Sequence, residues 1–176
     1  TAPATLNYEL TDGNGNVYNG TYTGVAGRTR LFTHQNTLCP ITDATFEGNT
    51  YKANIAIPFP VSGVVISTFH TDNIIRLSAK DGKEIATKTV PTKETINNYL
   101  WDICPSFANA TLTFSIKHVA TNKFLHTTAT SRAHDDATVT LADEGTQFVY
   151  AANNGFKYGN LWLSTNSINS SEQCLG

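Results

Sequence analysis

The chain has 176 residues, the length of one domain, since compact domains run to about 100–200 residues before a single core splits. Its net charge of −2, with no cluster of Lys or Arg, excludes the concentrated basic surface that nucleic-acid phosphates demand. The most apolar stretch, residues 53–69, is broken by Pro58, Pro60 and Gly63 and is shorter than the ~20 apolar residues of a membrane helix, so no membrane span is expected.

Period-two alternation opens the chain: Leu6, Tyr8 and Leu10 alternate with Asn7 and Glu9, which places the apolar groups on one face of a half-buried strand. Asp12-Gly13-Asn14-Gly15 follows, a hairpin signal because Gly and Asn adopt the positive φ that tight turns require. Short apolar runs then predict strands at Ala53–Ile57, Val64–Phe69 and Ile74–Ser78, the last closed by an Asp81-Gly82 turn. In Thr92–Ile103, residues Ile96, Tyr99, Leu100 and Ile103 fall at helical spacing with Thr92 as N-cap. Asn97 and Asn98 weaken that helix to about two turns at most. Leu112, Phe114 and Ile116 alternate with Thr113, Ser115 and Lys117 as a second half-buried strand, and runs at Val139–Leu141, Phe148–Tyr150 and Leu161–Leu163 complete the set, with a turn at Asn154-Gly155. The expectation is a single all-β domain over residues 1–176, a barrel or a sandwich of short antiparallel strands.

A faint repeat runs through it. Asn16-Val17-Tyr18, Asn73-Ile74-Ile75, Asn122-Lys123-Phe124-Leu125 and Asn160-Leu161-Trp162-Leu163 each set Asn at the start of an apolar run. The stretch from Phe114 to His126, with Gln147-Phe148-Val149-Tyr150 after it, resembles the opening hairpin and the buried aromatic strand of a β-trefoil repeat, as in ricin-B-like fungal lectins and mushroom protease inhibitors. The resemblance is best over residues 112–165 and implies a β-trefoil-like barrel that binds either a sugar or a protease. The chain has no Gln-x-Trp and shows four repeat starts where threefold pseudosymmetry needs three, so a β-sandwich remains the rival architecture.

Several features point to export. The chain starts Thr1-Ala2-Pro3-Ala4 and contains no Met, as after removal of a signal peptide. Asn19-Gly20-Thr21, Asn109-Ala110-Thr111 and Asn169-Ser170-Ser171 are glycosylation sequons. Of Cys39, Cys104 and Cys174, the first two share a context, each following an apolar residue and preceding Pro, and are the expected disulfide pair; Cys104 with Cys174 is the competing pairing. The expected location is extracellular.

Catalytic signatures are sparse. No Gly-x-Ser-x-Gly elbow occurs, and Cys39 and Cys104 are better read as disulfide partners than as nucleophiles. The histidines His34, His70, His118, His126 and His134 form no HExxH motif, although His118 and His126 could face one another across a hairpin. Asp12-Gly13-Asn14-Gly15-Asn16 begins like a calcium loop but carries Val17 at the sixth position and Thr23 at the twelfth, where such a loop needs Gly and Glu. The His134-Asp135-Asp136 cluster reads as a solvated loop. No catalytic residue, metal or cofactor is assigned.

Binding is left. A sugar is held by an aromatic face against its C–H side with Asn or Asp on its hydroxyls, and such groups gather at Tyr158, Asn160 and Trp162, with Asn153 and Asn154 upstream. Asn97, Asn98, Tyr99, Trp101 and Asp102 form a second such group. The expected partner is a glycan or glycoprotein. The alternative partner is a protease or other protein, met through the loops Ile57-Pro58-Phe59-Pro60 and Val90-Pro91-Thr92, because rigid extended loops lose little entropy on docking.

Overall fold

A computed structural model describes residues 3–25, 41–70, 73–80, 83–108, 111–129, 139–151, 155–164 and 172–173. The described chain is all-β, with one turn of 3-10 helix. It divides into two compact units, Thr1–Phe59 with Pro105–Thr113, and Pro60–Cys104 with Phe114–Gly176.

The first unit is built on β1 (Pro3–Thr11), β2 (Val17–Val25), β3 (Ile41–Glu47) and β4 (Thr50–Ile55), in the order β2-β1-β4-β3. β1 and β2 are antiparallel, with Tyr8 opposite Gly20, while β1 and β4 run parallel, with Leu10 opposite Ala53. The alternation read from the sequence is physical: Tyr8, Leu10, Ala53 and Ile55 are buried, whereas Asn7 and Asn54 face solvent. Leu112 is also buried, and Phe107 sets its ring 5.4 Å from Tyr18 and 6.5 Å from Tyr8.

The β1–β2 connection forms at the predicted turn, with Gly15 at φ 82° and its N–H donating to the Asp12 carbonyl over 3.1 Å. Asp12 organises it. Its Oδ1 accepts from the backbone N–H of Asn14 (2.9 Å) and Asn16 (3.0 Å), and its Oδ2 from Asn16 Nδ2 (3.0 Å) and the Tyr18 hydroxyl (2.9 Å). Burial alone would raise this carboxyl, but these donors outweigh it and hold the group below its ordinary value.

The second unit carries β5 (Ser67–His70), β6 (Asn73–Lys80), β7 (Lys83–Thr87), most of the hairpin β8 (Trp101–Ala108) and β9 (Thr111–His118), then β10 (Phe124–Thr127), β11 (Val139–Ala142), β12 (Val149–Ala151), β13 (Gly155–Tyr158), β14 (Leu161–Trp162) and β15 (Glu172–Gln173). They form the sheets β15-β7-β6-β5, β11-β10-β9-β8 and β12-β13-β14. Among the described residues the strands make separate sheets and no closed barrel. Trp101, Phe114, Ile116, Leu125 and Phe148 are the most deeply buried apolar side chains of this unit. Phe114 and Phe148 exchange two backbone hydrogen bonds of 2.7 Å, so the aromatic run at 148 joins the strand that begins the hairpin.

That hairpin turns between His118 and Lys123. His118 N–H donates to the Lys123 carbonyl over 2.7 Å, and Asn122 takes φ 56°, a left-handed conformation that Asn tolerates. The helical spacing of residues 92–103 yields less: one 3-10 turn at Ile96–Tyr99, with Thr95 rather than Thr92 at its N-cap and Leu100 already extended. The helix stops because Trp101 is taken by a strand, its backbone exchanging two 2.9 Å bonds with Val64. No helix among the described residues is long and apolar enough to cross a membrane.

Candidate functional site

The most suitable site is the β13–β14 hairpin. Gly159, at φ 56°, turns the chain together with Asn160 so that Tyr158 pairs with Leu161 and Lys157 with Trp162. Both aromatic side chains stay accessible, Tyr158 at 37% and Trp162 at 39%, and Asn160 is exposed on the turn. Gly155 makes room for the indole: a Cβ there would lie 3.0 Å from Trp162 Cε3 and 3.1 Å from Cζ3. An aromatic ring laid over a strand glycine is a cross-strand contact that pins register. Lys157 extends its ammonium to 5.4 Å from the centre of the same indole, within cation–π range.

This hairpin rests on a packed aromatic base. Phe156 is buried and meets Tyr150, Phe114 and Phe148 edge-on at centroid distances of 5.3, 6.3 and 6.4 Å. Beside it opens a shallow hollow of about 30 Å³, walled by Val139, Phe148, Tyr158, Leu161, Trp162 and Leu163 among others. Its lining includes no Asp or Glu. An apolar hollow with an aromatic rim and a neighbouring amide suits a ligand with one apolar and one hydroxylated side.

The second predicted cluster has a different role. Trp101 is fully buried and its Nε1 donates to the Leu77 carbonyl over 3.1 Å, so it offers no face to a sugar. The Asp102 carboxylate accepts from Gly63 N–H at 2.9 Å and stands 3.9 Å from Lys117 Nζ, which engages it within the fold. Tyr99 is buried, with its hydroxyl donating to the Thr89 carbonyl at 3.5 Å, and the Asn98 carbonyl accepts from His118.

His118 does not face His126. Its strand neighbour across the hairpin is Lys123, and its imidazole spans Thr121 Oγ1 (2.9 Å from Nδ1) and the Asn98 carbonyl (3.1 Å from Nε2). A carbonyl only accepts, so Nε2 carries the proton and Nδ1 accepts from the Thr121 hydroxyl. Burial pushes this imidazole down, against a smaller upward pull from the backbone of Asn98 and Asn97. No group of three or more His, Cys, Asp or Glu among the described residues is placed to hold a metal.

Cys104 stands as a free thiol, and its two candidate partners, Cys39 and Cys174, lie outside the described residues. Burial raises the Cys104 thiol above its ordinary value, with Lys117 opposing. Asn19 is exposed on β2 opposite Glu9. The other sequon residues Asn109 and Asn169, the side groups His34 and His134-Asp135-Asp136, the Asp81-Gly82 turn, and Asn153 with Asn154 all lie outside the described residues.

Lys157 and Gly155 are the site residues that sequence reasoning passed over. A signal for them existed. Reading Gly159-Asn160 as a two-residue turn fixes the pairs 158 with 161 and 157 with 162, and so lays a lysine against a tryptophan. No family model, no curated protein and no solved structure matches this chain.

Proposed function

We propose that the protein is a secreted carbohydrate-binding protein of lectin type, without catalysis, and that the β13–β14 hairpin is its binding site. The observation that carries this reading is the exposure of Trp162 and Tyr158 at the rim of an apolar pocket, because a pyranose stacks its C–H face on such rings. Asn160 on the adjoining turn supplies both a donor and an acceptor for hydroxyls. Exposure of Asn19 within its sequon agrees with an extracellular location.

A trefoil-like arrangement is part of the proposal. It is supported by the β9–β10 hairpin and by the Phe114–Phe148 bridge, the two features on which the likeness to ricin-B-like lectins and mushroom inhibitors rests. An experimentally determined structure separates it from a two-sheet sandwich. The test of function is a glycan array with the wild type and Trp162→Ala. Binding that disappears in the variant supports the site, and an array blank at high protein concentration removes the lectin.

A second reading, a protease inhibitor or other protein-binding effector, is favoured by Val90. This side chain is 66% exposed on an irregular segment just before Pro91. The segment is braced by the Tyr99 hydroxyl on the Thr89 carbonyl and by Thr92 N–H on Thr95 Oγ1 at 2.9 Å. A braced loop presenting an apolar side chain suits a protease cleft, and inhibition of serine or cysteine proteases that is lost in Val90→Asp would favour it.

A further inference from the structure

Trp162 joins two features that the proposed function leaves unconnected. It lines the apolar pocket, and the ammonium of Lys157 lies 5.4 Å from the centre of its ring. Lys52, Lys117 and Lys123 each have a carboxylate partner, respectively Glu47 at 2.8 Å, Asp102 at 3.9 Å and Asp143 at 2.5 Å. Among the described residues no carboxylate stands within ion-pair distance of Lys157. With no acid in the pocket lining either, the hairpin combines, among the described residues, an apolar stacking surface with a lysine that has no carboxylate partner.

Resting on the lectin reading, we propose that the site takes a carboxylate-bearing sugar, a uronic or sialic acid residue, in preference to a neutral one. The C–H face of the pyranose stacks on Trp162, and the ring carboxylate pairs with Lys157, its cross-strand partner on the same face of the hairpin. The exposed π face is a weak partner for an ammonium, whereas a carboxylate is a strong one. As the sugar covers the indole, the cation exchanges the first for the second. A neutral sugar of the same shape displaces the cation from the ring and gives it nothing in return.

The test is titration calorimetry with an oligogalacturonate and its methyl ester, which differ in the charge of the carboxyl group and in the methyl that replaces it, and with a sialylated and a desialylated glycan. The acidic member of at least one pair should bind on the order of tenfold more tightly at low salt, a difference of one charge-assisted contact, and the gap should narrow at high salt. Lys157→Gln should abolish the gap while leaving the melting temperature unchanged, Lys157→Glu should invert it, and Trp162→Ala should remove binding of both members. Equal affinities for both members, unaltered in Lys157→Gln, overturn the acidic preference and leave the lectin reading intact. Absence of binding to all four glycans overturns the acidic preference, and the lectin reading falls with it only if the glycan array is also blank.

Discussion

The imidazole of His118 lies 4.8 Å, centroid to centroid, from the indole of Trp101, tilted by 58° to it. Both side chains are buried, and each spends its polar hydrogen on a backbone carbonyl, His118 on Asn98 and Trp101 on Leu77. The alternation Leu112, Phe114, Ile116 therefore continues through position 118 with a histidine on the buried face. A residue that reads as a ligand candidate is here an interior spacer with satisfied nitrogens.

The pair makes the fold acid-sensitive. The folded His118 is held below its unfolded value of 6.5, so the unfolded chain binds the proton more readily. The stability contributed by the neutral imidazole is complete above pH 6.5 and is lost as the pH falls through the lower, folded value. Thermal melts should show stability declining across this window, and His118→Gln should flatten the decline. An unchanged slope in the variant would show that other groups govern it.

The two tryptophans should separate optically. Trp162 is 39% exposed and Trp101 is fully buried, so acrylamide should quench only one component of the emission and Trp162→Phe should remove it. Trp101→Phe should cost about 1–3 kcal/mol in denaturant unfolding, since it strands the buried Leu77 carbonyl. Trp162→Phe should change stability by less than about 0.5 kcal/mol, as for an ordinary surface site.

These tryptophans also show where the sequence stops speaking. Each stands among Asn or Asp residues and beside a Tyr, and nothing local tells them apart. The difference lies in pairing: Trp101 is locked against Val64, and Trp162 lies over a hairpin edge next to Gly155. Strands with one face inside, β1 and β9, are legible because burial imposes period two on their composition. β3 was not, because all of it but Ile41 is exposed, leaving no apolar pattern to read. β8 was masked by a helical coincidence of Ile96, Tyr99, Leu100 and Ile103, which pairing with a distant segment overrode. The Lys157–Trp162 contact needed register, which becomes readable only once the two-residue turn is recognised.

Asp12→Asn should destabilise the protein by about 1 kcal/mol at neutral pH, because an amide accepts at one end only and leaves part-buried donors of the turn unmatched. The wild-type advantage should also titrate. Since the folded carboxyl lies below 3.8, its stabilisation is complete above that value and lost as the pH falls through the folded one. Urea unfolding of both proteins along an acid series checks this: the curves should converge at the acid end. Parallel curves throughout would mean that the carboxylate charge plays no part in the turn.

Gly20→Ala probes the first unit most directly. Gly20 lies opposite Tyr8 in the β1–β2 ladder, and a Cβ at this position would run into the Tyr8 hydroxyl and ring. Tyr8 is itself buried, with its ring 6.5 Å from that of Phe107, so it has little room to give way. The substitution should cost about 1–3 kcal/mol, the usual penalty of overpacking, although it keeps the Asn-x-Thr sequon and improves the strand former. In a Tyr8→Ala background the added methyl should cost almost nothing, because the atoms it meets are gone. A double-mutant cycle by denaturant unfolding therefore carries the argument: strong coupling between positions 8 and 20 confirms that glycine is required by the tyrosine laid across it. Additive effects would mean that the ring does not occupy that space in solution.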